Sequence, residues 1–280
     1  MAKKKINVSG GQIKIIMEYT IIYKTYENDL KWLKYSLLSV DKFLLGMKEV
    51  IIYYHDKCFD NLNIMLNGIK LNFEYRLIPV EYDINGYLKQ MVVKCDCFKD
   101  VETEYIFIMD CDVILKNSFN LESFINNDGK INWYYLTKNE INSKDDQWFV
   151  WEKSIMNMVN ENMDKYYMYN SFPFLFKKET LLNAHDKFIS LHNMTYNDYC
   201  KKKLNELSIT PNDPITGPNG KFPEMATIFE EFEYLGWYSY NYTNDYNFIE
   251  GLNELDIRYQ FWSHGGLSDE IEKQIEDILK

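Results

Sequence analysis

The chain has 280 residues, of which 46% are hydrophobic and 26% are charged, and its formal net charge is −11 at pH 7. This composition is ordinary for a globular protein and argues against wholesale disorder, and the length suits one large α/β domain or two small ones. The acidic balance argues against a protein that grips nucleic acid through a general basic face.

Residues 1–12 are predicted to be a flexible tail, because a basic start is followed by Gly10-Gly11. No apolar segment of signal-peptide length follows, and the longest apolar runs are strand-sized, so we expect neither a secretory signal nor a transmembrane segment. Five scattered cysteines, an odd number, indicate reduced thiols. A cytoplasmic protein is therefore expected.

Strands and helices alternate from residue 13 to residue 116. Apolar, β-rich runs predict strands over 13–23, 50–54, 73–80 and 105–115, and helical spacing predicts helices over 29–45, 59–69 and 86–98. Asn28 or Asp29 would serve as the N-cap of the first helix. This alternation is typical of right-handed βαβ units in a mostly parallel central sheet flanked by helices.

The second half of the chain follows a less regular pattern. It predicts strands over 131–136, 166–170, 172–176, 238–242 and 257–262, and helices over 148–159, 178–191, 196–207 and 224–236, followed by a polar C-terminal helix. A clear loop covers 211–220. The chain has no internal repeat and no long linker, so a single domain over 13–280 is expected.

Two aspartates, Asp110 and Asp112, follow the apolar run that begins at Tyr105. The run is typical of a strand buried on both faces, and ligands of open α/β sheets bind outside the carboxyl ends of the strands. No Lys or Arg lies within the run, so the two carboxylates would repel each other unless a cation lies between them. Mg²⁺ and Mn²⁺ prefer such oxygen ligands, often together with substrate phosphates. A metal–diphosphate site is therefore predicted, although Asp-x-Asp also occurs in turns and helix caps.

The helix over 86–98 carries Gln90 and Lys94 at i and i+4, on one face. Such a pair is usually part of a solvated surface. The functional alternative is a face turned toward the cleft, with Lys94 next to phosphate charge.

Three stretches resemble the GT-A glycosyltransferases, which use nucleotide-sugar donors. The strand from Tyr105 to Asp112 matches an apolar strand that enters an Asp-x-Asp motif. Gly86-Tyr87…Gln90…Lys94 resembles the Gly-Tyr-x-x-Gln-x-x-x-Lys helix of one group of such enzymes, the DUF6492-like proteins. The segment 229–238 resembles the Phe-Ser-Glu-Tyr…Gly-x-Tyr segment of that group, with Glu230 at the usual Ser and Glu231 at the Glu. The resemblance spans residues 17–264.

The resemblance implies a nucleotide-sugar-binding half over 13–116 and an acceptor-binding half over 117–280. Asp110 and Asp112 would bind Mn²⁺ or Mg²⁺, and His264 would add a metal or phosphate ligand, although a histidine in a Gly-rich turn explains it equally well. The donor, a UDP- or GDP-sugar, would further contact residues after the first strand and on the upstream helix: Lys24, Thr25, Tyr26, Gln90 and Lys94.

The acceptor would be a hydroxyl group of a glycan, a lipid-linked molecule or a protein. An inverting enzyme needs a general base on that hydroxyl, and Glu231 is the predicted base, with Glu230 as the second choice. An acidic first turn of an amphipathic helix also explains both residues. Trp133, Trp237 and Tyr238 are expected in the core, although each could stack on a sugar.

Two other function classes fit parts of this pattern. A sugar nucleotidyltransferase would carry a glycine-rich, basic loop after the first strand, whereas the segment 24–28 has no glycine. A non-catalytic carbohydrate-binding protein with a GT-A-like fold would not require the Asp-x-Asp strand end.

Overall fold

A computed structural model describes residues 5–9, 12–138, 140, 147–170, 173–215, 220–252, 257–261 and 266–280. Its helices are α1 (Leu30–Phe43), α2 (Phe59–Asn67), α3 (Gly86–Asp96), α4 (Gln147–Val159), α5 (Lys178–His192), α6 (Tyr196–Glu206), α7 (Phe222–Ala226), α8 (Glu231–Tyr242) and α9 (Asp269–Leu279). Its strands are β1 (Lys5–Ser9), β2 (Gln12–Ile16), β3 (Tyr19–Thr25), β4 (Leu44–Leu45), β5 (Met47–Tyr54), β6 (Glu74–Pro79), β7 (Tyr105–Ile108), β8 (Val113–Leu115), β9 (Phe119–Asn120), β10 (Ile131–Thr137), β11 (Lys165–Tyr166), β12 (Phe174–Lys177), β13 (Tyr246–Glu250) and β14 (Arg258–Gln260).

The central sheet has five strands in the order β12-β7-β3-β5-β6. The last four of these strands are parallel, and β12 pairs antiparallel with β7. β3 and β7 are buried along their whole length, which is typical of strands that are covered by helices on both faces. The predicted α/β class with a mostly parallel central sheet is confirmed, and β12 makes this sheet a mixed one. The arrangement is compatible with a Rossmann-like fold.

The strand order creates a switch point between β3 and β7. From β3 the chain passes through α1 to β5 and through α2 to β6, always in one direction across the sheet. It then crosses back through α3 and places β7 on the other side of β3. Because the carboxyl ends of two neighbouring strands lead into different directions here, a crevice forms outside them.

Besides the β1-β2 pair, the described residues form three smaller sheets: β11-β10-β13, β14-β8 and β4-β9. Trp133 on β10 is buried and packs edge-on against Phe174, Phe176 and Tyr246. The expectation that Trp133 lies in the core is confirmed. None of the helices in the described part of the chain is long and apolar enough to cross a membrane.

Several predicted elements differ from the structure. The predicted tail over 1–12 contains β1, which pairs antiparallel with β2. The predicted strand 238–242 is the last part of α8, and the predicted helix 224–236 is split into α7 and α8 around the extended Glu230. Of the predicted strand over 166–170, only Tyr166 lies in a strand, β11, and a 3₁₀ turn follows over Tyr167–Asn170. α8 was hard to predict because residues 231–239 are all buried, which removes the one-sided periodicity of a surface helix.

Gly236 allows α8 to lie directly on the 3₁₀ turn at Tyr167. A Cβ atom on Gly236 would lie 2.1 Å from the Cβ atom of Tyr167. The carboxylate of Glu233 on the same helix accepts hydrogen bonds from the backbone N–H groups of Tyr167 (2.8 Å) and Met168 (3.3 Å). This close approach therefore fixes α8 against the 3₁₀ turn that begins at Tyr167.

We expect Gly236→Ala to lower the free energy of unfolding by about 1–3 kcal/mol, because the new methyl group must push α8 away from Tyr167. Denaturant unfolding measures this change. Gly86→Ala is the matched control, since a Cβ atom on Gly86 would meet no atom of the described residues within 4 Å. Equal stability of the two variants would contradict the close approach.

Candidate functional site

A small cleft lies at the switch point, where β3 and β7 end. Five of the predicted site residues line it, together with two others; the lining residues are Lys24, Tyr26, Asp29, Gln90, Asp110, Cys111 and Asp112. Thr25, between two of the lining residues, is fully buried. The fold therefore brings together the end of β3, the Gln90 face of α3 and the Asp-x-Asp motif, which are far apart in the sequence.

The Asp-x-Asp turn is held by the strands on either side of it. Before the turn, Met109 N–H donates to the carbonyl oxygen of Ile22 at 3.0 Å, which extends the β3–β7 pairing to the residue preceding Asp110. Within the turn, Val113 N–H donates to the carbonyl oxygen of Asp110 at 3.2 Å, and Phe261 N–H donates to that of Asp112 at 2.9 Å. The backbone of both aspartates is thus fixed at the cleft.

Buried serines of α1 fix the strand that follows the turn. Ser36 Oγ donates to the carbonyl oxygen of Val113 at 2.6 Å, and Ser39 Oγ accepts from Leu115 N–H at 3.0 Å. Tyr23 on β3 shares a 2.7 Å hydrogen bond with Ser36. Because buried polar groups must be paired, these bonds set the register of β8 against α1.

Lys94 is buried behind the cleft and joins two carboxylates. Its Nζ lies 2.8 Å from Asp110 Oδ1 and 2.8 Å from Glu231 Oε1, and only 2% of the side chain is exposed. Burial alone lowers the pKa of Lys94, but the charges of Asp110 and Glu231 outweigh it and raise the pKa above its ordinary value. The side chain is therefore a resident cation. It contacts Asp110, whereas the sequence predicted that it would contact the phosphates of the donor.

Glu230 and Glu231, the predicted bases, begin α8 and are both buried. Glu231 Oε2 is buried and has no hydrogen-bond partner among the residues that the structure describes. Glu230 Oε2 caps the helix by accepting a hydrogen bond from Glu233 N–H at 2.6 Å. Burial and then the charges of Glu231 and Glu233 raise the pKa of Glu230 well above its ordinary value. Glu230 is thus a helix cap, whereas Glu231 is tied through Lys94 to Asp110.

Lys24 and Tyr26 lie at the end of β3. Lys24 Nζ donates to the carbonyl oxygen of Thr25 at 2.7 Å, and burial lowers the pKa of Lys24 to about 8. Tyr26 as a whole residue is 42% exposed. One strand end thus offers the cleft a cation and a flat aromatic surface.

Asp29 is a cleft residue that the sequence did not identify as one. It was expected only as a helix cap, and it does precede α1, but its side chain makes no capping hydrogen bond. Burial, and then the charge of Asp110, raises the pKa of Asp29 to about 6. The sequence carried one signal for this role, because Asp29 follows the end of β3 by about one turn. The start of α1 directly after it already explained an aspartate at this position.

Asp110 and Asp112 fit a divalent cation as far as the described residues go. Both bring hard carboxylate oxygens to the same cleft, and 24% of the Asp110 side chain is exposed although Lys94 holds its Oδ1. No group of three or more His, Cys, Asp or Glu side chains that could hold a metal occurs among the residues described. Water and phosphate oxygens commonly complete the shell of Mg²⁺. His264 lies outside the described residues.

Asp29 should make stability depend on pH. Its pKa is raised from 3.8 to about 6, so ionisation in the folded protein is unfavourable above pH 6 and the penalty disappears below about pH 4. We expect Asp29→Asn to be more stable than the wild type at pH 7 by about 1–3 kcal/mol, and no more stable at pH 4. Thermal unfolding across this range measures the difference. Asp60→Asn, at an exposed carboxylate of α2, is the control; an equal gain there would contradict the assignment.

The sequence matches one family model, described as "Family of unknown function (DUF6492)", over residues 12–227. The match includes the whole cleft and ends before α8, so Glu231 lies outside it. No curated protein matches the sequence.

Proposed function

Since the chain belongs to the DUF6492 family, whose function is unknown, we propose from the cleft itself that the protein is a metal-dependent glycosyltransferase. It moves a sugar from a nucleotide-diphosphate donor, a UDP- or GDP-sugar, to a hydroxyl group of a glycan, lipid-linked or protein acceptor. The proposal includes the GT-A variant of the Rossmann-like fold.

One observation carries the proposal. The carboxylates that follow β7 lie in the crevice where β3 also ends, next to the buried Lys24 and the exposed Tyr26. Crevices at such switch points bind nucleotides. Asp110 and Asp112 would hold Mn²⁺ or Mg²⁺, which supplies Lewis-acid stabilisation of the departing diphosphate.

The other lining residues suit the rest of the donor. Lys24 brings a positive charge toward the phosphates, and its low pKa for a lysine, about 8, still leaves it mostly protonated at pH 7. The exposed face of Tyr26 suits stacking with a nucleobase. The Gln90 amide, with both donor and acceptor atoms, suits hydroxyl groups of ribose or sugar.

On the acceptor side, inversion requires a general base, and Glu231 as that base stays a prediction. Its Oε2, which no described residue binds, is buried and would have to reach the acceptor hydroxyl.

We expect Mn²⁺ to be required for binding of the donor. Titration calorimetry with UDP-, GDP- and CMP-linked sugars, with and without Mn²⁺, should give heat for at least one donor only when the metal is present. Asp112→Asn should weaken that binding at least about tenfold, because a neutral amide is a poorer ligand for a hard cation.

The control for this substitution is Asp128→Asn, at an exposed aspartate that is not among the cleft residues. Donor binding that is independent of Mn²⁺, or absent for all three nucleotides, would refute the metal–diphosphate site.

Tyr26 gives a separate test of the nucleotide position. We expect Tyr26→Ala to weaken binding of the nucleoside diphosphate by about 1–3 kcal/mol, the usual contribution of one base–aromatic stack. Tyr26→Phe keeps the ring and should bind as the wild type does. Equal affinity of the Ala and Phe variants, measured with the Mn²⁺ complex, would place the nucleobase elsewhere.

A further inference from the structure

Three elements meet at one buried lysine. Asp110 follows β7, Lys94 lies on α3 and Glu231 begins α8, and the two carboxylates each lie 2.8 Å from Lys94 Nζ. The exposed fraction falls from 24% for the Asp110 side chain to 2–3% for the other two. The three side chains thus form a chain that leads from the cleft into the interior.

Packing keeps Lys94 in this position. Its Nζ lies 4.9 Å from the centre of the Phe232 ring. The Phe232 ring stacks on Phe174 of β12, at 3.7 Å between ring centres, and β12 is hydrogen-bonded to β7. Lys94 is therefore covered by a ring of α8 that itself packs on β12, the strand paired with β7, and this packing limits its freedom to leave the two carboxylates.

Fixing α8 also fixes Glu231. Glu230 caps the helix one residue earlier, and Gly236 lets the helix lie directly on Tyr167. The position of Glu231 is thus set by the C-terminal half, and Lys94 transmits it to Asp110.

We propose that Lys94 and Glu231 are positioning residues for the divalent cation: Glu231 fixes Lys94, and Lys94 fixes Oδ1 of Asp110, so that the rest of this carboxylate is presented to the cleft. This inference rests on the proposed function. Carboxylates that bind metals are themselves held by outer hydrogen-bond partners, and loss of such a partner usually weakens metal binding 10–100-fold.

Two variants test the inference: Glu231→Gln alone, and Glu231→Gln combined with Lys94→Met. Glu231→Gln alone leaves Lys94 with only one of its two carboxylates, so the lysine charge repels the metal more strongly and one anchor is lost. The double variant K94M/E231Q removes one positive and one negative charge, so the net charge beside Asp110 is unchanged. Replacing a buried ion pair by neutral groups of similar size is often neutral for stability, which keeps the double variant testable.

Binding of Mn²⁺ is measured by titration with MnCl₂ alone, with the free ion followed by electron paramagnetic resonance, and thermal unfolding is recorded for each variant. We expect both E231Q and K94M/E231Q to bind Mn²⁺ at least about tenfold more weakly than the wild type. The double variant should do so while its unfolding temperature stays within a few degrees of the wild-type value.

The matched control is K177M/D245N, which removes an ion pair at the other end of the same sheet. Lys177 pairs with Tyr105 at the start of β7, far from Asp110, and this variant should bind Mn²⁺ as the wild type does.

Two outcomes overturn the inference in different ways. If the wild type binds Mn²⁺ and K94M/E231Q binds it within threefold of the wild-type affinity, Lys94 and Glu231 do not position the ligand, and the proposed function stands. If the wild type itself binds no Mn²⁺, with or without UDP, the proposed metal site fails and this inference fails with it. Loss of transfer by E231Q at unchanged Mn²⁺ affinity would likewise overturn positioning, and it would support Glu231 as the base.

Discussion

The parallel pairing of β3 with β7 determines where the cleft residues lie. Both strands are buried along their whole length, so a shift of either strand by one residue would exchange the side chains that pack on the two faces of the sheet. With the register fixed, Lys24 and Tyr26 end one strand beside the aspartates that follow the other. The crossover through α3 then has to pass over the same strand ends, which brings Gln90 to the cleft and Lys94 behind it.

The charges of the cleft are balanced differently from what the sequence suggested. The run that ends at Asp110 and Asp112 contains no Lys or Arg, and a metal was predicted for that reason. In the fold, Lys94 reaches Asp110 from α3 and pairs with it. Because Lys94 offsets the charge of Asp110, repulsion between the two aspartates is only a weak reason to expect a metal. The stronger reason is that both carboxylates lie at a switch point of the sheet.

The first half of the fold was predictable from the sequence because its strands are short, continuous apolar runs and its helices have one apolar face. In the second half the same rules predicted α4, α5 and α6 to within one residue at each end. They failed for α8, which is buried over residues 231–239, and for β13, which carries little apolar alternation. At the site, Lys24, Tyr26, Gln90, Asp110 and Asp112 could be grouped from strand ends and motif spacing. The Lys94–Glu231 contact joins residues 137 positions apart, and Asp29 resembled an ordinary helix cap, so neither role was visible locally.

The beginning of α8 concentrates three buried carboxylates, and each is stabilised in a different way. Glu233 accepts hydrogen bonds from two backbone N–H groups, and burial raises its pKa to about 8. Glu230 caps the helix, and Glu231 pairs with Lys94. Apolar side chains at such positions are often at least as stable as a buried ion pair. A stable core alone therefore does not require this cluster. The proposed positioning role gives a reason for one member of it, because Glu231 pairs with Lys94, and Lys94 is the charged partner of Asp110 at the edge of the cleft.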